Sequence, residues 1–176
     1  EMVGQADRLE VRDLGDHWKY ANLNLGALLV KDPISLDTAL FKQEEQDHGI
    51  DNILDRKLID LAQPALKDAT LVEGEFKITN QDRAVGTMLS NEISKVYLGE
   101  GLPNDTIKIK FNGTAGQSFG AFVANGVTFE LEGDANDYFG KGLSGGKLIL
   151  YPSAQATFNP AKNIIVGNVA FFGATS

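Results

Sequence analysis

The stretch that most invites a chemical reading is YFGKGLSGGKLIL, residues 138–150, which is glycine-rich and carries two lysines. A phosphate-cradling P-loop needs Gly, four residues, Gly-Lys and then Ser or Thr, running from a strand into a helix. Here Gly146-Lys147 is preceded five positions earlier by Lys141 and followed by Leu148, so both the spacing and the magnesium-binding hydroxyl are missing. The following KLILY reads as a strand. The glycines therefore read as a corner between strands. A second constellation, His48 among Glu44, Glu45, Asp47, Asp51 and Asp55, has metal-ligand chemistry, but it sits at a predicted helix start, where the helix dipole favours acidic residues. His17, beside Trp18, reads as a packing residue. A polysaccharide-cleaving surface would place acids and bases on the outer face of successive strands. Lys108, Lys110, Glu130 and Glu132 are so placed, and they equally fit a solvated face.

Composition narrows the classes. The 176 residues suit one domain or slightly more. A formal net charge of −8 disfavours nucleic acid and anionic membrane surfaces, both of which reward a basic face. No apolar run approaches the roughly 20 residues of a membrane helix, and the opening residues do not read as a signal peptide. With no cysteine, disulfides, a thiol nucleophile and thiolate-held iron–sulfur or zinc sites are excluded within these residues. The composition suits a cytoplasmic protein. Met at position 2 and the ending FFGATS lead us to expect a piece of something longer.

The elements that would position these residues fall into two regimes. Up to about residue 100 the pattern is mainly helical. LDTALFKQEEQ, 36–46, reads as a short helix. In a second helix Asp51 is the expected N-cap, and Ile50, Ile53, Leu54, Leu58 and Leu61 form one stripe. Pro64 ends or kinks it. EGEFKIT is a strand candidate. A longer helix over 81–98, capped by Thr79 or Asn80, carries Val85, Met88, Leu89, Ile93, Val96 and Tyr97 on one face, with Gly99 as its C-cap.

After residue 100 a 20-residue period takes over. Gly113 falls on Gly133, Ala115 on Ala135, Phe119 on Phe139 and Gly120 on Gly140, while IKIKF falls on VTFEL and then on KLILY. Phe-Gly returns at 172–173. Ile107, Ile109 and Phe111 alternate with Lys108 and Lys110, and Val127, Phe129 and Leu131 with Thr128, Glu130 and Glu132, so each strand has an inward and an outward face. This pattern predicts a mainly β fold, a right-handed parallel β-helix or solenoid of about 20 residues per coil, preceded by a helical linker. Gly113, Gly120, Gly133, Gly140, Gly145 and Gly146 would form its corners, and Phe119 and Phe139 would stack inside. Leu148 and Leu150, in a strand apolar on both faces, would contact another domain. The sequence divides into 1–32, 33–100 and 101–176, with IIV and VAFF as the last strands. Left open, that final coil would invite self-association through 163–173.

RAVGTMLSNEISKVY at 83–97, GTAGQSFGAF at 113–122 and GDANDYFGKGLSGGKLILYP at 133–152 together resemble the C-terminal region of the glutamate synthase large subunit. QDHGIDNILDRKLI at 46–59 is similar to the linker before that region, and EMVGQADRLE resembles the tail of the family's flavin-binding barrel. The resemblance implies a parent in which a glutaminase domain releases ammonia. That ammonia reacts with 2-oxoglutarate at a flavin, and a three-iron cluster relays the electrons. It also implies a β-helix that braces the other domains without catalytic residues. The glutaminase and cluster cysteines have no counterpart here and the flavin barrel is represented only by its last residues, so FMN and the 3Fe–4S cluster would be bound elsewhere in the parent, and this chain would hold no catalytic residue, cofactor or metal. Its partners would be the other domains of the parent. The runner-up reading is a stand-alone β-helix component of another redox complex, similar to the glycine-punctuated component of formylmethanofuran dehydrogenase, and a third is a carbohydrate-active β-helix.

Overall fold

The computed structural model describes residues 2–10, 15, 18, 23–31, 33, 38–39 and 41–175. His17 lies outside them. The chain forms two units, 1–46 and 47–176. In the first, a 3-10 turn spans Ala6–Arg8, and Gly4 N–H bonds Leu29 C=O at 2.7 Å. The helix expected over 36–46 is not found at 38–39 or 41–46, the part of that stretch that is described.

The second unit opens with helix α1, Leu54–Leu61, which buries Leu54 and Leu58. Its N-cap is Ile53 rather than Asp51, so Ile50 precedes the helix and stays half exposed. Pro64 stands at the start of a second short helix, α2, Gln63–Asp68, where its missing N–H breaks no helical bond. Strand β1, Val72–Ile78, follows. Helix α3 covers only Thr87–Tyr97, against the expected 81–98. Thr79 caps a turn closed by Asp82 (N to Oδ2 2.8 Å) rather than a helix. Ala84 and Gly86 both have positive φ, which no helix tolerates. Leu98, not Gly99, takes the left-handed position that ends α3, and Val96 faces solvent.

Strands β2, Ile107–Ala115, β3, Val127–Ala135, and β4, Lys147–Tyr151, join β1 in one sheet of order β1-β2-β3-β4, parallel throughout. β2 and β3 pair with the 20-residue offset, Ile107 opposite Val127 through Ala115 opposite Ala135. Into β4 the offset drops to 19: Phe129 faces Leu148 and Leu131 faces Leu150. A one-residue slip exchanges the faces of a strand. Here it turns Leu148 and Leu150 towards the core and Ile149 and Tyr151 outward, which accounts for the broken alternation of KLILY.

The expectation of a mainly β, right-handed β-helix is overturned. The described residues build an α/β fold: one four-stranded, all-parallel sheet with helices whose Leu54, Leu58, Leu89 and Ile93 enter the same core as Phe111, Phe119 and Phe129. The period implies only that equivalent residues lie side by side. Each repeat here supplies a single strand, and the rest of its path is turns, so no coil of several sheets is closed. The strands expected at IIV and VAFF are likewise missing among the described residues. Only Val166 bridges Ala135, and Val169 and Phe171 take left-handed backbone that no strand accommodates.

The core centres on aromatic rings. Phe111 meets Phe119 edge-on at 5.2 Å and Phe129 at 5.1 Å; Phe139 lies parallel to Phe119 at 5.9 Å and is met edge-on by Phe171 at 5.5 Å. Phe139 is 4% exposed. Truncating it to Ala should therefore cost about 3–5 kcal/mol in urea unfolding. A loss below about 1 kcal/mol would contradict its place in the stack.

Candidate functional site: a left-handed corner and a buried carboxylate

The corner that raised the nucleotide question is built from backbone. Left-handed residues recur at every second position in stacked layers: Ser118, Gly120 and Phe122 in one, Tyr138, Gly140 and Gly142 in the next, Val169, Phe171 and Gly173 beyond. Ala84 and Gly86 begin the series. The alternation points successive N–H groups to opposite sides. Ser118 donates to Asp137 C=O at 2.8 Å, Gly120 back to Val85 C=O at 2.9 Å, and Phe122 forward to Lys141 C=O at 2.8 Å. Tyr138, Gly140 and Gly142 repeat this with Asn168, Phe119 and Phe172, at 2.9, 2.9 and 2.8 Å. These amides are already engaged by protein carbonyls, so the loop does not present them to a phosphate. Lys147 lies on β4, bonded to Asp105 Oδ1 at 2.9 Å.

The structure separates the glycines singled out by spacing. Gly120 and Gly140 belong to the left-handed corner. Gly113 and Gly133 are paired inside β2 and β3, where a Cβ on Gly133 would overlap the Gly113 carbonyl. Gly145 and Gly146 form the shortened connection into β4, against Asn125 and Val123. Phe119 and Phe139 stack as described above. Leu148 and Leu150 pack partly buried on the core, leaving Ile149 as the exposed apolar residue of β4.

Sequence reasoning missed Asp55, which is 2% exposed. Its carboxylate leaves α1 and accepts four N–H bonds at the start of α3: from Gly86 to Oδ2 at 3.0 Å and Oδ1 at 3.1 Å, from Met88 at 3.0 Å and from Leu89 at 3.1 Å. Gly86 is the equivalent of Gly120 and Gly140, whose N–H groups bond the preceding layer. Asp55 thus stands where the carbonyl of a preceding layer would be, and it satisfies the amides at the helix N-terminus at the same time. The available signal was an acid lying inside an apolar stripe, between Leu54 and Leu58.

His48 and Asp47 are exposed, Asp47 closes a turn to Gly49 N–H at 2.8 Å, and Asp51 reaches Arg56 at 3.5 Å. Among the described residues no group of three or more His, Asp or Glu side chains is arranged to hold a metal ion. On the outer sheet face Lys110 pairs with Glu132 at 3.0 Å, Lys108 lies 3.7 Å from Glu73, and Glu130 accepts from the Tyr151 hydroxyl. The bond from Lys110 holds Glu132 below the usual carboxylate range, and Glu130 pushes the Tyr151 phenol up. Asp105 is pulled down by Thr128 and then Lys147. These groups complete one another across strands rather than converging on a common point.

This geometry can be tested at two places. Gly120→Ala should destabilise by more than about 1 kcal/mol, because a left-handed Ala is strained and its Cβ would meet the Leu148 side chain. Ser118→Gly, at a left-handed position held by a non-glycine, should be neutral or stabilising by up to about 1 kcal/mol. Equal losses in urea unfolding would refute the alternation as a source of strain. For Asp55, burial pushes the carboxyl above its ordinary value, and the amides of Gly86, Leu89 and Met88 pull it back without cancelling that rise. The folded state therefore binds this proton more tightly than the unfolded state. The associated stabilisation is complete below the unfolded pKa and is lost as pH rises through the folded one. The stability of the wild type relative to Asp55→Asn should fall across that window and be level on either side, while Asp55→Ala should cost about 1–3 kcal/mol by orphaning amides. A difference independent of pH would contradict the raised pKa.

Comparison with known proteins fits this framework to a family. The GXGXG motif model matches residues 55–176. The chain is 48% identical to "Glutamate synthase [NADH]" of Schizosaccharomyces pombe over 100% of its own length and 8% of that protein's. It is 46% identical to "Glutamate synthase [NADPH] large chain" of Bacillus subtilis over 100% of this chain and 11% of that one. Against "Ferredoxin-dependent glutamate synthase 2" of Synechocystis it is 38% identical, over 99% of this chain and 11% of the relative. The chain thus spans about a tenth of the length of these curated relatives. It belongs to the GXGXG motif family and corresponds to a segment of the glutamate synthase large subunit.

Proposed function

We propose that this chain is a non-catalytic bracing segment of a glutamate synthase. In this reading the whole enzyme forms glutamate from glutamine and 2-oxoglutarate, and the segment fixes the glutaminase and flavin-bearing domains in place. The observation that carries the proposal is how the repeated residues are employed. Phe111, Phe119, Phe129 and Phe139 fill the interior against one another, and the corner amides bond neighbouring layers. Asp55, the buried carboxylate, is occupied by four N–H bonds at a helix start. The cysteine-free sequence offers no thiolate to a 3Fe–4S cluster, and this reading assigns neither that cluster nor FMN any residue here. Relatives named for NADH, NADPH and ferredoxin all resemble the segment along its length, which supports a role independent of the electron donor. We place the enzyme in the cytoplasm. No described helix is long and apolar enough to cross a membrane.

The test uses Phe139→Ala in a complete glutamate synthase large subunit. The expected result is a lower thermal midpoint, with KM for glutamine and flavin content per folded molecule unchanged. A variant that kept the wild-type midpoint but lost flavin, or turned over more slowly, would defeat the bracing role.

A further inference from the structure

Beyond the carboxyl ends of β1, β2 and β3, a polar groove of about 670 Å³ is lined by Asn80, Gln81, Arg83, Gln117 and Asn136. The lining is unusual for so acidic a chain: one guanidinium, four side-chain amides and no carboxylate.

Among the described residues, the single hydrogen bond of the Arg83 guanidinium runs from Nη2 to Gln117 Oε1 at 2.9 Å. Ala84 N–H bonds Gln117 C=O at 2.9 Å, so residues 83–84 and 117 are joined twice, once through the backbone and once through the exposed guanidinium. Neighbouring carboxylates are engaged elsewhere: Asp82 with Thr79, Asp134 with Thr114 Oγ1 at 2.6 Å, and Asp137 with Asn168 N–H at 2.7 Å. Asn136 turns its amide to Ala115 C=O at 3.4 Å. The side-chain amides of Asn80 and Gln81 are bonded to no described residue. The groove therefore offers a planar fork of donors, flanked by further side-chain N–H groups, to which no described carboxylate is bonded.

We infer that this groove is a carboxylate-binding site, with Arg83 as its bidentate anchor and Gln117 as the residue that orients it. A guanidinium matches a carboxylate through two parallel N–H···O bonds, and a lysine at the same place would supply only a point charge. The carboxylate would come either from a free dicarboxylate or from an acidic side chain of a neighbouring protein segment.

The two sources are separated by titrating the full 176-residue chain at low salt, following its amide and arginine side-chain NMR signals. One arm uses succinate and the other a glutamate-containing peptide blocked at both ends; the same peptide with glutamine in place of glutamate is the control. We expect saturable shifts confined to residues near 80–83, 117 and 136 and weakened by added salt. Kd should rise at least tenfold in Arg83→Gln and by a smaller factor in Arg83→Lys and Gln117→Ala. Tighter binding of succinate would assign the site to a free dicarboxylate, and tighter binding of the peptide to a protein side chain. Thermal midpoints of the variants verify that they remain folded. The proposal is overturned if neither probe saturates, if the control peptide binds as well, or if folded Arg83→Gln binds as tightly as the wild type.

Discussion

The structure depends on one backbone constraint: layers that bond to both neighbours at a corner must turn successive amides in opposite directions. Left-handed residues at every second position achieve this, and each such layer is satisfied only by the layers on either side of it. Left-handed backbone costs about 1–2 kcal/mol for a residue with a side chain, whereas a net hydrogen bond contributes about 0.5–1.5 kcal/mol. Bonds alone therefore roughly break even where Ser118, Phe122, Tyr138 or Phe171 hold such positions. The margin comes from what the corner brings together. Phe119 and Phe139, one in each layer, end up parallel at 5.9 Å, both almost fully buried, and burying a phenylalanine is worth about 1.5–3 kcal/mol. Glycine at 120 and 140 removes the cost where the space beside the backbone is filled, by Leu148 at Gly120 and chiefly by the Phe171 ring at Gly140.

The same constraint explains why a buried acid sits at the helical end. Gly86 is both the N-cap of α3 and a left-handed member of the series, with its N–H turned away from the layers that follow. A helix start there leaves the amides of Gly86, Met88 and Leu89 without carbonyl partners. Asp55 answers all three from α1, converting a junction between helix and corner into a bonded one. Desolvation of the carboxylate opposes this arrangement, so the cap persists because unsatisfied buried amides would cost more. Ser90 adds a second link, its hydroxyl accepting from Ala124 N–H at 3.2 Å. Helices and sheet thus share one core through polar contacts as well as through Leu89 and Ile93.

Much of this is legible in the sequence, and the reasons for the remainder are specific. The 20-residue period identifies the pairing of β2 with β3 and the inward set Ile107, Ile109, Phe111, Val127, Phe129 and Leu131, because side-chain alternation in a strand is strict. Phe119 and Phe139 can be matched for the same reason. The period does not give the number of strands in a repeat, which is why it suggests a closed β-helix where a single α/β sheet is found. Nor does it register the residue lost between Ser144 and Lys147, which flips the faces of β4. The start of α3 is misplaced by sequence because Ala84 carries no sign of its left-handed backbone; helix propensity favours alanine there, and the interlayer bond to Gln117 overrides it. Phe171 is hidden similarly: Phe172-Gly173 matches Phe139-Gly140 by letter, but the bonds align Phe171 with Gly140. Asp55 groups by sequence with the surface acids around His48, although its place in the apolar stripe sets it apart.

A framework whose bonds run mainly from backbone to backbone tolerates change in its outward side chains. The corner requires left-handed conformations at fixed places, small residues where backbones or side chains close in, and large apolar residues facing inward. It makes no demand on the outer face beyond charge compensation of the kind Lys110 and Glu132 provide. That asymmetry suits relatives that share between about a third and a half of their residues with this chain while being named for different electron donors. It also separates the polar groove from the rest of the surface. Arg83 and Gln117 face outward, yet they are attached to the backbone clamp at Ala84 that fixes the first layer. A substitution at Gln117 retains the backbone half of that clamp, because Ala84 bonds a carbonyl and not a side chain. The bond to Arg83 and the integrity of the corner are therefore separable, although both run through Gln117.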